Sequence, residues 1–583
     1  MRRLVFFLGS LLCHTLLVAQ IPYQQRVIKP EPRPWGPYLW PHETPETPPV
    51  SQSSDLAAAE FMGRSVSYTA ADTWYPSWAS NDTLYSPFTD GTWGIWKLVF
   101  SATGPKAMTG QAKIVGNDPL NLEVIPLGAT TGSAAPYGGR YPCGSLVHNG
   151  VWYYGTYCLD GYPSGYNWGT LGPFVGFRIS KDYGLTWEDT PHTPLSPLFG
   201  ETAKDSGCVK IGAPHFVDFG KNMEHSPDGK AYLLAHGSVA EDPQPRPANN
   251  SWISGDQIYL LRVTPTIENI NDRSKYEYFA GYNRKGKAVW SKDFKKIKPV
   301  FEWNNHCGCV TMTYFPHLKK YIMCITDGWP TIKYMNTYFL ESDHVEGPWK
   351  MVTYMKNFGE QAYFVNIPSK FIDKDKNSFW LCYSGNFAAF QELKINPPGG
   401  RYAMVLQEMR FLDKKQLAAY PFAENKKKLD IEKAEWDKRN PLTSKENLAL
   451  QAKVSVSSLA EGYSEKGVND GIVDGFPGHP ENEWASNQTV NSWVRLTWDK
   501  KVTVGKIWLF DRPYQYEQIL SCGLKMSDGT IIELGALSNV EGEGLEITFE
   551  PKEVEWIEFV VLGVGNSQNS GLSEFAVFNK CVL

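Results

Sequence analysis

The chain has 583 residues, several times a typical domain, and must therefore fold as at least two. Aromatic residues make up 14% and charged residues only 20%, a balance that fills a large core and leaves rings over for a ligand surface. A net charge of -5 gives no basic footprint for nucleic acid or acidic lipid, and the absence of P-loop, dinucleotide and nucleophile-elbow motifs sets aside phosphoryl transfer, redox chemistry and the α/β-hydrolase mechanism.

In chain order, Met1-Arg2-Arg3 and the apolar run LVFFLGSLLCHTLLVA read as a signal peptide over 1–19, so the expectation is a secreted, periplasmic or cell-surface protein beginning near Gln20. Leu12 stands where a lipid-anchor signal at Cys13 would need a small residue. No later segment approaches the length of a membrane-spanning helix. Residues 20–53 form an N-terminal extension.

From 54 to 412 the sequence is a succession of short aromatic and β-branched runs, such as GTWGIWKLVF, KAYLLAHGS, VTMTYF and NSFWLCYSG, cut by Gly, Pro, Asn and Asp. This pattern predicts an all-β region too long for one sandwich, closing radially as a β-propeller. Ser180-Lys181-Asp182-Tyr183-Gly184-Leu185-Thr186-Trp187 matches the Asp-box SxDxGxTW, a turn device of propeller blades. His306-Cys307-Gly308-Cys309 lacks a second Cys/His pair at zinc spacing and reads as a strand with small buried cysteines. Residues 413–445 are charged and Lys-rich, a partly helical linker. Strand signals resume over 446–583 with LALQAKVSVSS, KVTVGKIWLF and VEWIEFVVLG, enough for one antiparallel β-sandwich.

Two resemblances rest on ordered motifs. Val468-Asn469-Asp470-Gly471, Asp474-Gly475, Glu483-Trp484-Ala485-Ser486, Asp511-Arg512-Pro513 and Ser573-Glu574-Phe575 resemble the discoidin-like jelly rolls, which include factor 5/8 type C domains and carbohydrate-binding module family 32. That resemblance implies a glycan-binding sandwich with a structural calcium near the DG loop, for which Asp470 and Asp474 are the candidate ligands, although both residue types also shape turns. ADTWYPSWASNDTLYSPFTDG from Ala71, IGAPHFVDFGKN from Ile211, YFPHLKKYIM from Tyr314, VEGPWKM from Val345 and AYFVNIPSKF from Ala362 resemble the DUF-4185 propellers, distant relatives of glycoside hydrolase family 43. This implies a five-bladed propeller acting on a polysaccharide or glycan.

Glycoside hydrolysis needs two carboxyl groups roughly 5–10 Å apart, one holding a proton. Asp72 is the first candidate, since the resemblance places a base Asp early in the first blade. Asp90, in an Asp-Gly pair that also suits a turn, is the second. His215 stands among apolar residues, Asp256 opens a strand where it can orient a base, and Glu360 precedes another strand as a candidate acid. Trp74, Arg140, Trp303, His306 and Trp329 are candidate sugar contacts. Other chemistries stay open: a metal held by His215 with Asp72 or Asp90 for deacetylation, a lyase using Tyr141, Tyr153 and His148, and a lectin without turnover. Convergence of carboxylates in one pocket separates enzyme from lectin.

Overall fold

Runs such as Lys320–Asp327 and Ser378–Gly385 are buried along their whole length rather than at alternate positions. A strand needs such unbroken burial when packed sheets cover both its faces. In the computed structural model these strands lie in the blades of a five-bladed β-propeller, followed by a β-sandwich. The structure describes residues 21–579 except 32, 70, 94–96, 160–168, 203–208, 239–250, 329–334, 359–361, 386–399, 401, 474–479, 513–516, 539, 541 and 566–568.

Two compact units divide the chain. One is Pro32–Lys438; the other joins the N-terminal segment up to Glu31 with Arg439–Leu583. Counted outward from the axis, blade 1 is Ser77–Trp78, Leu84–Phe88, Met108–Val115 and Glu123–Thr131, and blade 2 is Gly139–His148, Val151–Leu159 and Leu171–Ser180. Blade 3 begins His215–Phe216, Ala231–Gly237 and Gln257–Val263; blade 4 is Val310–Phe315, Lys320–Asp327, Asn336–Ser342 and Lys350–Met355. Blade 5 is Ala362–Asn366, Ser378–Gly385, Val405–Leu412 and Ala58–Ser67. Its fourth strand comes from the start of the chain, so pairing Phe61 with Met409 and Ala58 with Leu412 closes the ring.

Around the axis each innermost strand, or its immediate continuation, bonds to the next. Val147 N–H donates to Ser77 Oγ at 2.8 Å, and Gly144 N–H to Pro214 O at 2.8 Å. Asp218 N–H donates to Met312 O, and Tyr314 N–H to Asp218 O, both at 2.9 Å. The Thr311 and Thr313 hydroxyls donate to Val365 O at 2.8 Å and Ile367 O at 2.6 Å. Asn366 Nδ2 returns to blade 1 through Trp74 O at 2.8 Å.

Local sequence explains the turns. The Asp182 carboxylate accepts N–H bonds from Leu185 (3.1 Å) and Thr186 (2.9 Å), Gly184 takes φ +94°, and Trp187 packs edge-on against Trp152 at 5.2 Å. The stretch from Ala71 to Gly91 is a hairpin of blade 1 turning at Asn81-Asp82, where Asp82 adopts φ +66°.

In the second unit, two long strands, Trp493–Asp511 and Gly544–Val564, serve both layers of the sandwich. Around Trp493–Thr497 and 556–564 lie Lys453–Val456, Ile519–Met526 and Ile531–Leu534; around Lys506–Asp511 and 544–549 lie Ser570–Phe578, Trp484–Ser486 and Tyr23–Ile28. Register shifts between Thr497 and Lys506 mark the passage from one layer to the other. The extension read from sequence as one piece is thus shared: Tyr23–Ile28 is an edge strand here, and the residues after it belong to the propeller unit. Residues Lys414–Ala418 and Phe422–Arg439 are helical, and among the described residues no helix is long and apolar enough to cross a membrane.

Phe61 is fully buried between the rings of Tyr38 (5.1 Å) and Phe358 (5.7 Å) at the closure. Phe61→Ala is expected to destabilise the propeller by about 3–5 kcal/mol, read as a lower urea midpoint at unchanged slope.

Candidate active site

Antiparallel pairing brings the two ends of the first hairpin together. Asp72 N–H donates to Thr89 O at 2.9 Å and Thr89 N–H to Asp72 O at 3.0 Å, so Asp90 lies beside Asp72 just ahead of the first innermost strand. Tyr402, from the far end of the propeller sequence, shares its hydroxyl proton between Asp72 Oδ2 (3.0 Å) and Asp90 main-chain O (2.8 Å). Asp90 adopts φ +47°, and its Oδ1 accepts the Ser101 N–H at 3.0 Å. Asp72 is buried and Asp90 half-buried; burial pushes the Asp90 carboxyl up to about 6, against the pull of the Ser101 N–H and the Thr89 hydroxyl.

Side chains that belong to different blades also meet near the innermost strands. The Tyr75 and His215 rings lie 4.1 Å apart, and the Cys309 thiol is 3.6 Å from both Tyr75 Oη and His215 Nε2. Burial, then the neighbouring His236, pushes His215 down to about 3, so it is a neutral imidazole at ordinary pH. His215 is packed against Tyr75 and Cys309. Among the described residues no three His, Cys, Asp or Glu side chains are grouped to hold a metal ion. His215, Asp72 and Asp90 form no such group among the described residues.

Trp303 and His306 meet a partner that sequence reading missed. His306 Nδ1–H donates to Asp327 Oδ2 at 2.5 Å, and the same oxygen accepts the Tyr354 hydroxyl at 2.6 Å. Asp327 is 0% exposed. On the other side, Trp303 Nε1–H donates to Glu46 Oε1 at 2.8 Å, and His306 Nε2 lies 3.5 Å from that same oxygen. Asp256 shapes the loop carrying them: its Oδ1 accepts the Asn305 N–H at 2.9 Å and its main-chain oxygen the Trp303 N–H at 3.0 Å. Both of these bonds are to backbone.

Two expected sugar contacts are core. Trp74 is 1% exposed, stacked on Phe88 at 5.2 Å, with its indole N–H on Ala71 O. Arg140 turns into the packing between blades 1 and 2, donating to Thr156 Oγ1 at 2.9 Å, while Arg178 bonds Thr109 Oγ1 at 2.8 Å. Burial, then the like charge of Arg178, pushes Arg140 down to about 10. Tyr141 and His148 stand near opposite ends of Gly139–His148, and the Tyr153 hydroxyl bonds Pro265 O, so the lyase trio does not converge. Glu360, Trp329 and Asp474 lie outside the described residues.

In the sandwich unit, Asp470 meets Glu574, a residue quoted in the motif without a role. Glu574 is fully buried; its Oε2 accepts the Gly471 N–H at 2.9 Å, and its Oε1 has no hydrogen-bond partner among the described residues. Burial and then the Asp470 charge push the Glu574 carboxyl well up, and burial pushes Asp470 up to about 7.

A profile of a family described as a domain of unknown function, DUF7402, matches residues 447–578. No curated protein matches the sequence. Among solved structures, the lectin domain of lectinolysin, solved with Lewis b antigen, is 25% identical over 24% of this chain and 99% of its own, with a TM-score of 0.21. A Bacteroides ovatus protein provisionally assigned as a hydrolase is 12% identical over 62% of this chain and 92% of its own, with a TM-score of 0.36. The family 32 carbohydrate-binding module of NanJ from C. perfringens, solved with galactose, is 14% identical over 22% of this chain and 95% of its own, with a TM-score of 0.19.

Because Asp327 is buried and its Oδ2 draws on both His306 and Tyr354, Tyr354→Phe is expected to cost about 1.5–3 kcal/mol, the range for a hydrogen bond to a charged group. Chemical denaturation of the variant beside the wild type checks this.

Proposed function

We propose that the protein is an exported carbohydrate-active hydrolase whose propeller cleaves a glycosidic bond with Asp72 and Asp90, and whose sandwich unit holds it on a polysaccharide or complex glycan. The observation that carries the reading is the backbone pairing of Asp72 with Thr89, which sets Asp90 beside Asp72, with the Asp90 carboxyl pushed up to about 6. At mildly acid pH Asp90 keeps a proton to deliver to the leaving oxygen as the glycosidic bond breaks. Asp72, oriented by the Tyr402 hydroxyl, is the ionised base that takes a proton from the water whose oxygen bonds to the anomeric carbon as the leaving oxygen departs. Separate environments for neighbouring carboxyls are how such pairs divide the roles of acid and base. Motif order in both units supports a carbohydrate substrate, the signal-like first nineteen residues support export, and a weak glycan-binding module raises local substrate concentration for a linked catalytic unit.

For the sandwich we propose a structural calcium held by Asp470 and Glu574. Two converging carboxyls, one with an unpartnered oxygen in full burial, are a hard oxygen donor set that a divalent cation would neutralise. The cation would supply charge balance to the DG loop.

The catalytic assignment is checked by hydrolysis of a panel of plant, algal and host glycans. Asp90→Asn is expected to lower kcat by about 100-fold or more, and Asp72→Asn to do the same. Asp90 acts as the protonated form, so kcat/KM of the wild type is expected to fall as pH rises through about 6, and this limb should vanish in Asp90→Asn. Full activity in either variant would sink the reading. For calcium, a concentration about 100 times its Kd is expected to stabilise the sandwich unit by about 2.7 kcal/mol. A thermal melt with calcium against one with chelator reads this, and Glu574→Gln should abolish the difference.

A further inference from the structure

The loop before the inner strand of blade 4 aims two ring nitrogens at one carboxylate oxygen. Trp303 Nε1–H is 2.8 Å from Glu46 Oε1 and His306 Nε2 is 3.5 Å from it. Both rings are buried, 5% exposed each, while the Glu46 side chain is 59% exposed. The buried Trp303 N–H is therefore satisfied by a group that itself stands largely in water, with His306 Nε2 close beside it.

The supporting shell is more elaborate than a surface ion pair requires. Asp327 on His306 Nδ1 fixes the imidazole's orientation, and the Tyr354 hydroxyl fixes Asp327 in turn. The Tyr338 hydroxyl holds the His306 carbonyl at 2.7 Å, and the Trp303 ring lies 4.5 Å from that of His306. Buried partners locking a donor group are the mark of a binding site rather than of a surface contact, which contributes little.

Glu46 arrives on a strap tied down on both sides. His42 and Glu43 pair with Tyr354 and Met355, and Gln52 and Ser53 with Met351 and Val352, along the outer strand of blade 4. Between these ties the sequence is TPETPPV, whose prolines restrict the backbone around Glu46. The strap thus presents a carboxylate at low entropic cost and high effective concentration.

We infer that Trp303 and His306 form a subsite for the carboxylate of a hexuronic acid, and that Glu46 occupies it in place of that group. The inference rests on the carbohydrate-active reading above and supplies a substrate class for it: an acidic polysaccharide whose uronate displaces Glu46. The loop carrying the subsite leads into an innermost strand at the end of the axis where Asp72 and Asp90 lie, so a chain held by its uronate is presented to the carboxyl pair.

The test is calorimetric titration of the full chain with sodium D-glucuronate and, separately, with D-glucose at constant pH. Glu46→Gln removes the tethered competitor at an exposed position and is expected to bind glucuronate about tenfold more tightly than the wild type, with no gain for glucose. The double variant carrying Glu46→Gln and Trp303→Phe keeps the ring, loses the indole N–H, and is expected to lose the gain. Equal glucuronate affinity in Glu46→Gln and wild type, no binding in either, a gain shared by glucose, or persistence of the gain without the indole N–H would each overturn the subsite. Binding is read without turnover, so an inactive Asp72/Asp90 pair leaves this result unchanged. Conversely, hydrolysis of a neutral glycan by a protein without uronate selectivity would refute the subsite and keep the catalytic reading.

Discussion

The hydrogen bonds that pass from one innermost strand to the next hold the five blades at a common radius, and everything at the axis follows from them. Ser77, Pro214, Asp218, Thr311, Thr313 and Asn366 each hand a polar group to the neighbouring blade, so the inner strands are satisfied although they have no sixth sheet to pair with. Buried backbone left without such partners would cost more than the packing gained by closing the ring. Once the strands are fixed, whatever precedes them is delivered to one end of the axis. Asp72, Asp90, His215 and the loop of Trp303 and His306 owe their arrangement to that constraint rather than to any attraction among themselves.

Closure also separates two kinds of buried polar group. Arg140, Asp256 and His215 each make bonds or ring contacts within the scaffold. Asp90 and Glu574 are held in environments that oppose their ionisation, although each accepts a backbone N–H. A group whose burial is unfavourable and whose packing role is slight is where chemistry or a cation accounts for what stability does not.

The sandwich meets a different constraint. Its two layers share the long strands 493–511 and 544–564, so a shift of register in either would displace both layers together. The bulges between Thr497 and Lys506 let one strand supply two sheets, and the DG loop is anchored against the last strand through Gly471 and Glu574.

Fold class was legible in the sequence because strands buried on both faces must be apolar throughout and must end at residues able to turn; Ser378–Gly385 and the Asp-box show it residue by residue. That Asp72 and Asp90 lie side by side has an equally local cause, since the antiparallel hairpin joins its own two ends. Ring-rich composition, however, does not distinguish wall from core, and Trp74 proved to be core. Tyr402 is 330 positions from Asp72, Asp327 is 21 from His306, and Glu46 is 257 from Trp303. Local sequence determined strands, turns and the candidate carboxyls, because those depend on neighbours a few residues apart. Which side chains share a site was decided only by tertiary structure, because closing a ring of blades sets distances in space that no spacing along the chain encodes.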